Sequence, residues 1–305
     1  MRQTSAHEIG QVYVPAINWA LLAMCLVLVL SFRSSGALAA AYGIAVTGTM
    51  TITSTIFGVV AYERWKWPLW RVVPLVALFL AFELSFLGAN LLKLLDGGWL
   101  PLLVGGVVFT VFSTWKRGRR LVHDRTSAQA DAVIDVIRRM RAEGIQRVPG
   151  TAVFLSGTPG GAPAALLHNI KHNRVAHERT VVATVKTRQV PTVPAGERLA
   201  VESLGDGFYR AEVRFGFMED PFLAPTLEGD AARALVAAQA PGLDFAPGAT
   251  TYFTNRDRVV PTEAPGMALW REHLFAGLSR VAASAADYFG LPPRRSVEIG
   301  NVVEI

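Results

Sequence analysis

The sequence predicts a membrane-embedded bundle of four α-helices followed by a carboxyl-terminal domain of mixed α/β structure. Of the 305 residues, 51% are hydrophobic, and the long apolar runs all lie before residue 120. The same first part contains ten lysines and arginines against four acidic residues, whereas the rest of the chain contains twenty of each. We therefore expect a transmembrane domain at 1–120, an amphipathic linker helix at 121–146 and a charge-balanced cytoplasmic α/β domain at 147–305.

The charge distribution and the cysteine content exclude several functional classes. The net charge of +6 lies beside the apolar runs, so we interpret it as basic loops next to membrane spans and expect no nucleic-acid partner. Cys25 is the only cysteine, which excludes an internal disulfide and a cysteine-ligated zinc site. No catalytic or cofactor motif is present, and no nucleophile has an obvious base, so we expect neither an enzyme nor a cofactor.

Four apolar runs are each long enough to cross a bilayer, and we place the spans at about 12–32, 36–62, 72–92 and 99–115. The loop Glu63–Arg71 combines three basic residues with three tryptophans, and the cluster Lys116–Arg120 ends the fourth span. Basic residues and tryptophans are typical of the cytoplasmic interface. We therefore expect a multi-pass protein of the cytoplasmic (inner) membrane, with both termini in the cytoplasm.

The second span is expected to pack against other helices. Its small residues recur four positions apart, a spacing that lets helix backbones approach closely in lipid. The pairs are Gly36/Ala40, Ala39/Gly43 and Ala41/Ala45. A tyrosine and five alternating threonines argue against a span that faces only lipid. We predict helix contacts at Gly36, Ala40, Gly43 and Gly48.

Glu83 lies near the middle of the third span, within the segment LAFELSF. A carboxylate there costs about 2.5–3.5 kcal/mol on insertion scales, so an acid inside a span is a functional candidate by default. It could bind a cation or carry a coupling proton. A neutral glutamate that bonds a neighbouring helix is an equally good interpretation. Asn18 and Asn90 could join the same site, although a helix-to-helix hydrogen bond is the more common role for such residues.

Neutral oxygens in the second span suit an alkali cation that must bind weakly enough to leave again. The candidates are Tyr42, Thr47 and Thr49. Threonine hydroxyls also bond the carbonyl groups of their own helix. We expect this second role for Thr51, Thr53 and Thr55, which are too closely spaced to face one site.

The carboxyl-terminal domain shows short strands alternating with helices. The predicted strands are 151–155, 180–186, 198–203, 209–215, 250–254 and 296–299. The predicted helices are about 127–144, 163–173, 228–238 and 267–288. A mixed domain of this length can bury its own core.

Two features of this domain could bind a ligand. The loop Ser156–Gly161, with Gly157, Gly160 and Gly161, lies between a strand and a helix, where backbone amides can hold an anion. It lacks the ending of a P-loop, so ATP hydrolysis is not supported. His168 and His172 are four apart, a spacing that zinc can use. Without a third ligand we predict no metal site and favour capping or surface roles for both histidines.

Several long segments resemble one family of membrane proteins. Gly10–Trp19 (GQVYVPAINW) resembles that family's entry into its ninth span, and Ala39–Met50 (AAAYGIAVTGTM) its tenth-span sequence. Asp96–Pro101 (DGGWLP) and Thr114–Lys116 are similar to the approach to the twelfth span and its exit. In the second domain the similar segments are Arg147–Phe154 (RVPGTAVF), His168–Glu178 and Pro292–Ile305. The family is the KUP/HAK/KT potassium uptake permeases, particularly the bacterial Kup type.

This resemblance implies a carrier that imports potassium together with protons, on a fold similar to that of the amino acid/polyamine/cation transporters. The family usually has an acid in the helix that corresponds to the third span, and Glu83 matches it. The family's first eight spans, with their Gly-Asp-Ile-Gly-Thr-Ser-Pro type motif, are absent from this sequence. We therefore expect the carboxyl-terminal half of a permease, whose partners are the missing amino-terminal half, potassium ion, proton and the lipid bilayer.

Two other functions compete with transport. The chain could be a membrane-tethered regulatory or interaction module, whose α/β domain senses a cytoplasmic ligand or forms a homodimer without moving ions. It could also be an α/β enzyme on a membrane anchor. The enzyme is the weakest of the three, because the sequence offers no catalytic constellation.

Overall fold

The computed structural model describes residues 2–128, 132–157, 160–262 and 266–305. These residues form two compact units, Val14–Ser113 and Met1–Tyr13 together with Thr114–Ile305. The first unit is helical. The second contains the carboxyl-terminal α/β domain, the end of the fourth helix and a short hairpin in which Arg2–Gln3 pairs with Val12–Tyr13.

Four helices are long and apolar enough to cross a membrane. They are α1 (Pro15–Phe32), α2 (Ser35–Glu63), α3 (Leu69–Leu91) and α4 (Trp99–Ala128). Pro15 begins α1, a position that needs no backbone N–H. A π-helical turn, Leu94–Gly98, leads into α4, and Gly97 in that turn has a φ of 130°. The prediction of four apolar helices is confirmed.

The fourth helix continues beyond the predicted end of its span. The apolar sequence ends at Trp115, but α4 runs through the basic cluster to Ala128, because lysine, arginine and leucine favour a helix and no proline interrupts it. The linker helix predicted at 121–146 is therefore divided. Its first part continues α4, residues 129–131 lie outside the described residues, and its second part is α5 (Val133–Ala142).

The apolar face predicted for the linker helix lies on α5. Val133, Val136, Ile137 and Met140 are all buried, as the spacing predicts. Ala132, which the same pattern includes, is instead exposed and precedes the helix with an extended backbone. The α5 helix therefore begins at Val133, the first buried residue of this pattern.

Six strands build the sheet of the carboxyl-terminal domain. They are β1 (Gln146–Leu155), β2 (Val175–Arg188), β3 (Leu199–Gly205), β4 (Phe208–Gly216), β5 (Thr250–Val260) and β6 (Ser296–Glu304). The strand order is β3-β4-β2-β1-β5-β6, and only β3 and β4 pair antiparallel. The prediction of a mixed α/β domain is confirmed. The strands are longer than predicted, because polar residues extend their exposed ends, as Asn255–Arg258 do in β5.

The sheet separates two apolar cores. One contains Val153, Val181, Val213 and Tyr252 with the helices α7 (Leu223–Glu228) and α8 (Asp230–Gln239). The other contains α5, α6 (Ala164–His168) and a pair of rings, Phe154 and Phe253, that stack with centroids 4.5 Å apart. Alternate residues of β1 and β5 therefore face opposite helical layers.

Several helices of this domain differ from the prediction. The helix predicted at 267–288 is two helices, α9 (Leu269–Val281) and α10 (Ala285–Tyr288), because Ala282 is extended and Ser284 caps α10 by accepting a hydrogen bond from the Asp287 amide. The helix predicted at 163–173 is α6 followed by a π-helical turn, Asn169–Asn173. The sequence analysis missed α7, whose single apolar stretch is too short to show a helical period.

Candidate functional site

The α2 helix presents a narrow stripe of buried and half-buried residues to its neighbours. The stripe repeats at alternating steps of four and three residues, the spacing of a coiled-coil seam. Its members are Ala40, Ile44, Thr47, Thr51, Ser54, Gly58 and Ala61. Most of these side chains are small, so the backbone of α2 can approach its neighbour closely.

A second stripe on α3 faces this seam. Its members are Val72, Val76, Leu80, Glu83, Leu87 and Asn90. A methyl group built at Gly58 would lie 2.9 Å from Val76 Cγ2, and one built at Gly43 would lie 2.6 Å from Asn90 Oδ1. An added methyl group would therefore force the Val76 side chain or the Asn90 amide to shift. The structure thus brings Gly43, Asn90 and Glu83 into one helix–helix interface.

The carboxyl group of Glu83 lies inside this interface, and the residue is only 9% exposed. Ser54 Oγ donates a hydrogen bond of 2.7 Å to Glu83 Oε1. Glu83 Oε2 is buried and has no hydrogen-bond partner among the described residues. A buried oxygen without a partner is costly, so this carboxyl group needs a proton, a cation or a further donor to complete its bonding.

Ser54 is the residue of this site that the sequence analysis missed. This serine lies among five threonines, and each of these hydroxyls can bond a carbonyl group of its own helix. A signal was nevertheless present. Counting from Ala40 in alternating steps of four and three residues places Ser54 on the buried seam, whereas Thr53 and Thr55 fall on exposed faces.

The threonines of α2 bond backward to their own helix. The hydroxyls of Thr51, Thr53 and Thr55 donate to carbonyl groups four residues earlier, which confirms that expectation. Thr47 and Thr49 do the same, to Gly43 and Ala45. Each of these oxygens still has lone pairs to offer a cation, since a donating hydroxyl remains an acceptor.

The other predicted residues of the helical unit do not gather at one point. Tyr42 is 71% exposed on α2, and Asn18 is exposed on α1. Among the predicted packing residues, Ala40 is buried and Gly43 contacts Asn90, but a methyl group built at Gly36 or Gly48 would meet no atom within 4 Å. Within this unit, therefore, only part of the predicted set shares the α2–α3 interface with Glu83.

The predicted ligand residues of the carboxyl-terminal domain lie near α6. The rings of His168 and His172 stack with centroids 5.6 Å apart, and no group of three or more metal-ligating side chains occurs among the described residues. Gly157, Gly160 and Gly161 lie before α6, while Thr158 and Pro159 of the same loop are outside the described residues. The backbone amide of Ala165, at the start of α6, donates a 2.6 Å hydrogen bond to Asn255 Oδ1 and is therefore occupied within the domain.

A cavity of about 860 Å³ lies at the carboxyl ends of the central strands. The sheet has its topological switch point there, between β1 and β5, which is the common ligand position in open α/β sheets. The hydroxyl of Thr254 is buried without a partner among the described residues and lines this cavity. Arg119, Arg258 and Arg280 also line it, and none of them has an ion pair within the described part of the chain. The sequence analysis did not identify this cavity.

Four apolar helices, a carboxyl group between two of them and a carboxyl-terminal sheet define the class: this is an integral membrane protein with an α/β domain. Two family models match the chain. One, described as the K+ potassium transporter integral membrane domain, matches residues 1–120, and the other, described as the K+ potassium transporter C-terminal domain, matches residues 149–305. The chain belongs to this K+ potassium transporter family, the Kup/HAK/KT permeases.

Curated relatives agree with the family match. The protein named "Probable potassium transport system protein Kup" from Myxococcus xanthus is 47% identical over 302 residues, which cover 99% of this chain and 45% of the relative. The protein of the same name from Pseudomonas aeruginosa strain UCBPP-PA14 is 46% identical over 305 residues, covering 100% of this chain and 47% of the relative. The chain thus spans about half the length of these relatives. No solved structure matches it significantly.

Proposed function

We propose that this chain takes part in potassium uptake across the cytoplasmic membrane, coupled to protons, as the carboxyl-terminal part of a Kup-type permease. Family membership supports potassium as the ion, since the relatives are named as potassium transport proteins. The observation that carries the coupling step is the buried carboxyl group of Glu83, which holds one bond from Ser54 and has one oxygen without a partner among the described residues.

The chemistry of Glu83 suits a coupling group. An ionised carboxylate at this depth costs about 2.5–3.5 kcal/mol on insertion scales, and that cost falls when a proton or a cation neutralises the charge. Ser54 can hold the carboxyl group in place in either state, because its hydroxyl donates to an oxygen that stays an acceptor. One proton can therefore be taken up and released without repacking the two helices.

The remaining parts of the proposal follow the same architecture. In carriers built from inverted repeats, the ion binds near the middle of the membrane between helices of both repeats. We place this chain in such a fold, similar to the amino acid/polyamine/cation transporters, together with the part of its relatives that it does not match. Tyr42, Thr47, Thr49, Asn18 and Asn90 are the oxygen donors that this chain would offer to potassium. The basic loops support a topology with both termini in the cytoplasm.

A second candidate function rests on the cavity of the carboxyl-terminal domain. The cavity has a volume of about 860 Å³, and three arginines on its walls have no ion pair among the described residues, so it suits a small anionic ligand that regulates the membrane part. The buried hydroxyl of Thr254 would supply a hydrogen bond to that ligand. In this function the chain is a membrane-tethered sensor and does not move ions itself.

Rubidium uptake tests the first candidate. Cells that lack their own potassium uptake systems would express this chain alone, or with the amino-terminal half of a family member, and membrane insertion would be verified in both. Uptake only with the added half supports the proposed role within a larger carrier. Uptake by the chain alone would mean that four spans assemble a pathway by themselves. If neither group of cells takes up rubidium although the expressed halves are inserted in the membrane, the proposed role in transport is rejected.

Thermal unfolding of the full chain in detergent tests the second candidate. A nucleotide panel provides anionic ligands of suitable size. A rise in melting temperature that Thr254→Val abolishes would support a sensor, and the absence of any shift would argue against it. Valine keeps the shape of threonine and replaces the hydroxyl with a methyl group, so the ligand-induced shift of the variant is measured from the variant's own ligand-free melting temperature.

A further inference from the structure

The change of residue type along α4 marks where this helix leaves the membrane. The helix is apolar up to Trp115, and Lys116, Arg117, Arg119 and Arg120 follow. Tryptophan sits at the headgroup level of a bilayer, and lysine and arginine lie just outside it. The segment Thr114–Lys116 therefore stands at the boundary between hydrocarbon and water.

The amino-terminal end of α9 is attached to α4 at this level. Arg271 Nε donates a 2.9 Å hydrogen bond to the hydroxyl of Thr114, which is fully buried. The Arg117 side chain donates to the Gly266 carbonyl at 3.3 Å. Two independent contacts thus bring the start of α9 to the depth of the last membrane residues of α4.

Phe275, one turn further along α9, packs against α4. The ring of Phe275 lies 5.5 Å from that of Trp115, and a methyl group at Gly118 would come within 2.4 Å of it. Phe275 and Ala276 then share a core with Val122. These contacts hold the first half of α9 against α4, and Val281 at the far end of α9 lies about 16 Å along the helix axis from Trp270, at 1.5 Å per residue.

The first residues of α9 expose large apolar side chains at the membrane end. Leu269 is 48% exposed and Trp270 is 59% exposed, although both begin an ordered helix. Glu272, which is fully buried, accepts hydrogen bonds from the Thr262 and Met267 amides and so fixes the approach to this helix. Tryptophan and leucine in a fixed position beside basic residues form the usual composition of a membrane-surface contact.

We propose that Leu269 and Trp270 insert into the headgroup boundary of the bilayer that α4 crosses. Arg117 of α4, whose side chain donates to the Gly266 carbonyl just before α9, complements lipid phosphate. The occupant of this apolar surface is the lipid of the same membrane, because α4 carries the start of α9 to its edge. The α/β domain then has two attachments to the membrane, the α4 helix and the amino-terminal end of α9. This inference requires α4 to be a span and does not depend on ion transport.

Quenching by brominated lipids tests this contact. In a Cys25→Ser background, the full chain with Trp270→Cys would be labelled with bimane and reconstituted in phosphatidylcholine vesicles with or without bromine on the acyl chains. Val281→Cys is the matched control, since Val281 is 88% exposed at the other end of the same helix. Phe112→Cys, at a site that is 70% exposed on α4, is the positive control.

The label at 270 is expected to lose about half of its fluorescence in brominated vesicles, as at 112, because bromine quenches only groups at acyl depth. The label at 281 should instead be quenched by aqueous iodide. Equal behaviour of 270 and 281 would overturn the proposal. Shielding of 270 from both quenchers would also overturn it, since another protein segment would then cover this surface.

Discussion

The hydroxyl of Ser54 on α2 donates a 2.7 Å hydrogen bond to Oε1 of Glu83 on α3. This bond links the two helices within a seam of mostly small and apolar residues. It leaves Oε2 of the same carboxyl group buried without a partner among the described residues. The two helices thus hold a titratable group in a fixed position while one of its oxygens stays available, which is the arrangement that a coupling role requires.

Glu83→Gln should abolish proton coupling without disturbing membrane insertion. The amide keeps the size of the side chain and can still accept the bond from Ser54, but it cannot exchange a proton. In cells that express this chain with an amino-terminal half, potassium uptake should fall by at least about tenfold, because the proposed coupling step depends on this group. Uptake would be measured between pH 5.5 and pH 8 on the order of minutes after mixing.

Glu63→Gln is the control for this prediction. Glu63 is an exposed glutamate at the end of α2, so its change alters the net charge equally. Uptake by this variant should match that of the unmodified chain. If Glu83→Gln retains the full pH dependence of uptake, Glu83 is a structural residue and the proton is carried elsewhere.

Gly58→Ala should weaken the contact between α2 and α3. The added methyl group would lie 2.9 Å from Val76 Cγ2, and the β-branched valine has little rotamer freedom in a helix. We expect a loss of about 1–3 kcal/mol, as for other overpacked interfaces. Unfolding of the purified chain in mixed micelles, followed by circular dichroism, would measure it.

The matched control is Gly48→Ala on the same helix, where no atom lies within 4 Å of the new methyl group. Alanine favours a helix over glycine by up to about 1 kcal/mol, so this variant should be as stable as the original or more stable. Equal destabilisation by both substitutions would show that the seam is not packed as described.

Gly118→Ala should destabilise the attachment of α9 to α4. The methyl group would clash with the Phe275 ring, which is only 1% exposed, so the ring would have to leave its packed position. Overpacking of this kind costs about 1–3 kcal/mol. Gly277→Ala, in α9 with nothing within 4 Å, should cost nothing. Thermal unfolding of the two variants in detergent would reveal the difference, and equal melting temperatures would contradict it.

His177 should make the carboxyl-terminal domain less stable in mild acid. Burial lowers the pKa of His177 below its usual value, and its Nδ1 is buried without a partner among the described residues. The unfolded chain therefore binds a proton on His177 more readily than the folded chain does. The free energy of unfolding keeps the full contribution of this group at neutral pH and loses it as the pH falls below about 6.5.

The His177→Gln variant tests this pH dependence. Between about pH 5 and pH 7, the melting temperature of this variant should depend less steeply on pH than that of the unmodified chain, because one titrating group has been removed. His172→Gln, which changes an exposed histidine on the π-helical turn, should leave the slope as it was. An unchanged slope in His177→Gln would assign the acid sensitivity to another group.

Local sequence determined the elements of this protein. The apolar runs give α1 to α4 directly, because a span must satisfy its backbone inside one helix. The continuous apolar run around Val153 and the alternating segment around Val213 predict two strands of the sheet, since a strand covered on both faces is apolar throughout and a strand covered on one face has a period of two. The single cysteine excludes a disulfide within the chain, and the charge distribution leads us to expect no nucleic-acid partner. The resemblance in Ala39–Met50 identified the family, which the family models then showed.

The tertiary structure decided which of these residues meet. Ser54 and Glu83 are 29 residues apart in sequence, and a hydrogen bond between them depends on the rotation of two helices about their axes. The same holds for Thr114 and Arg271, which lie 157 residues apart. A residue pattern describes one element at a time, whereas contacts between elements depend on how side chains of different segments fit together. The sequence therefore determined the four apolar helices, the mixed domain and the candidate carboxyl group, and packing alone decided the partner of that group and the attachment of α9.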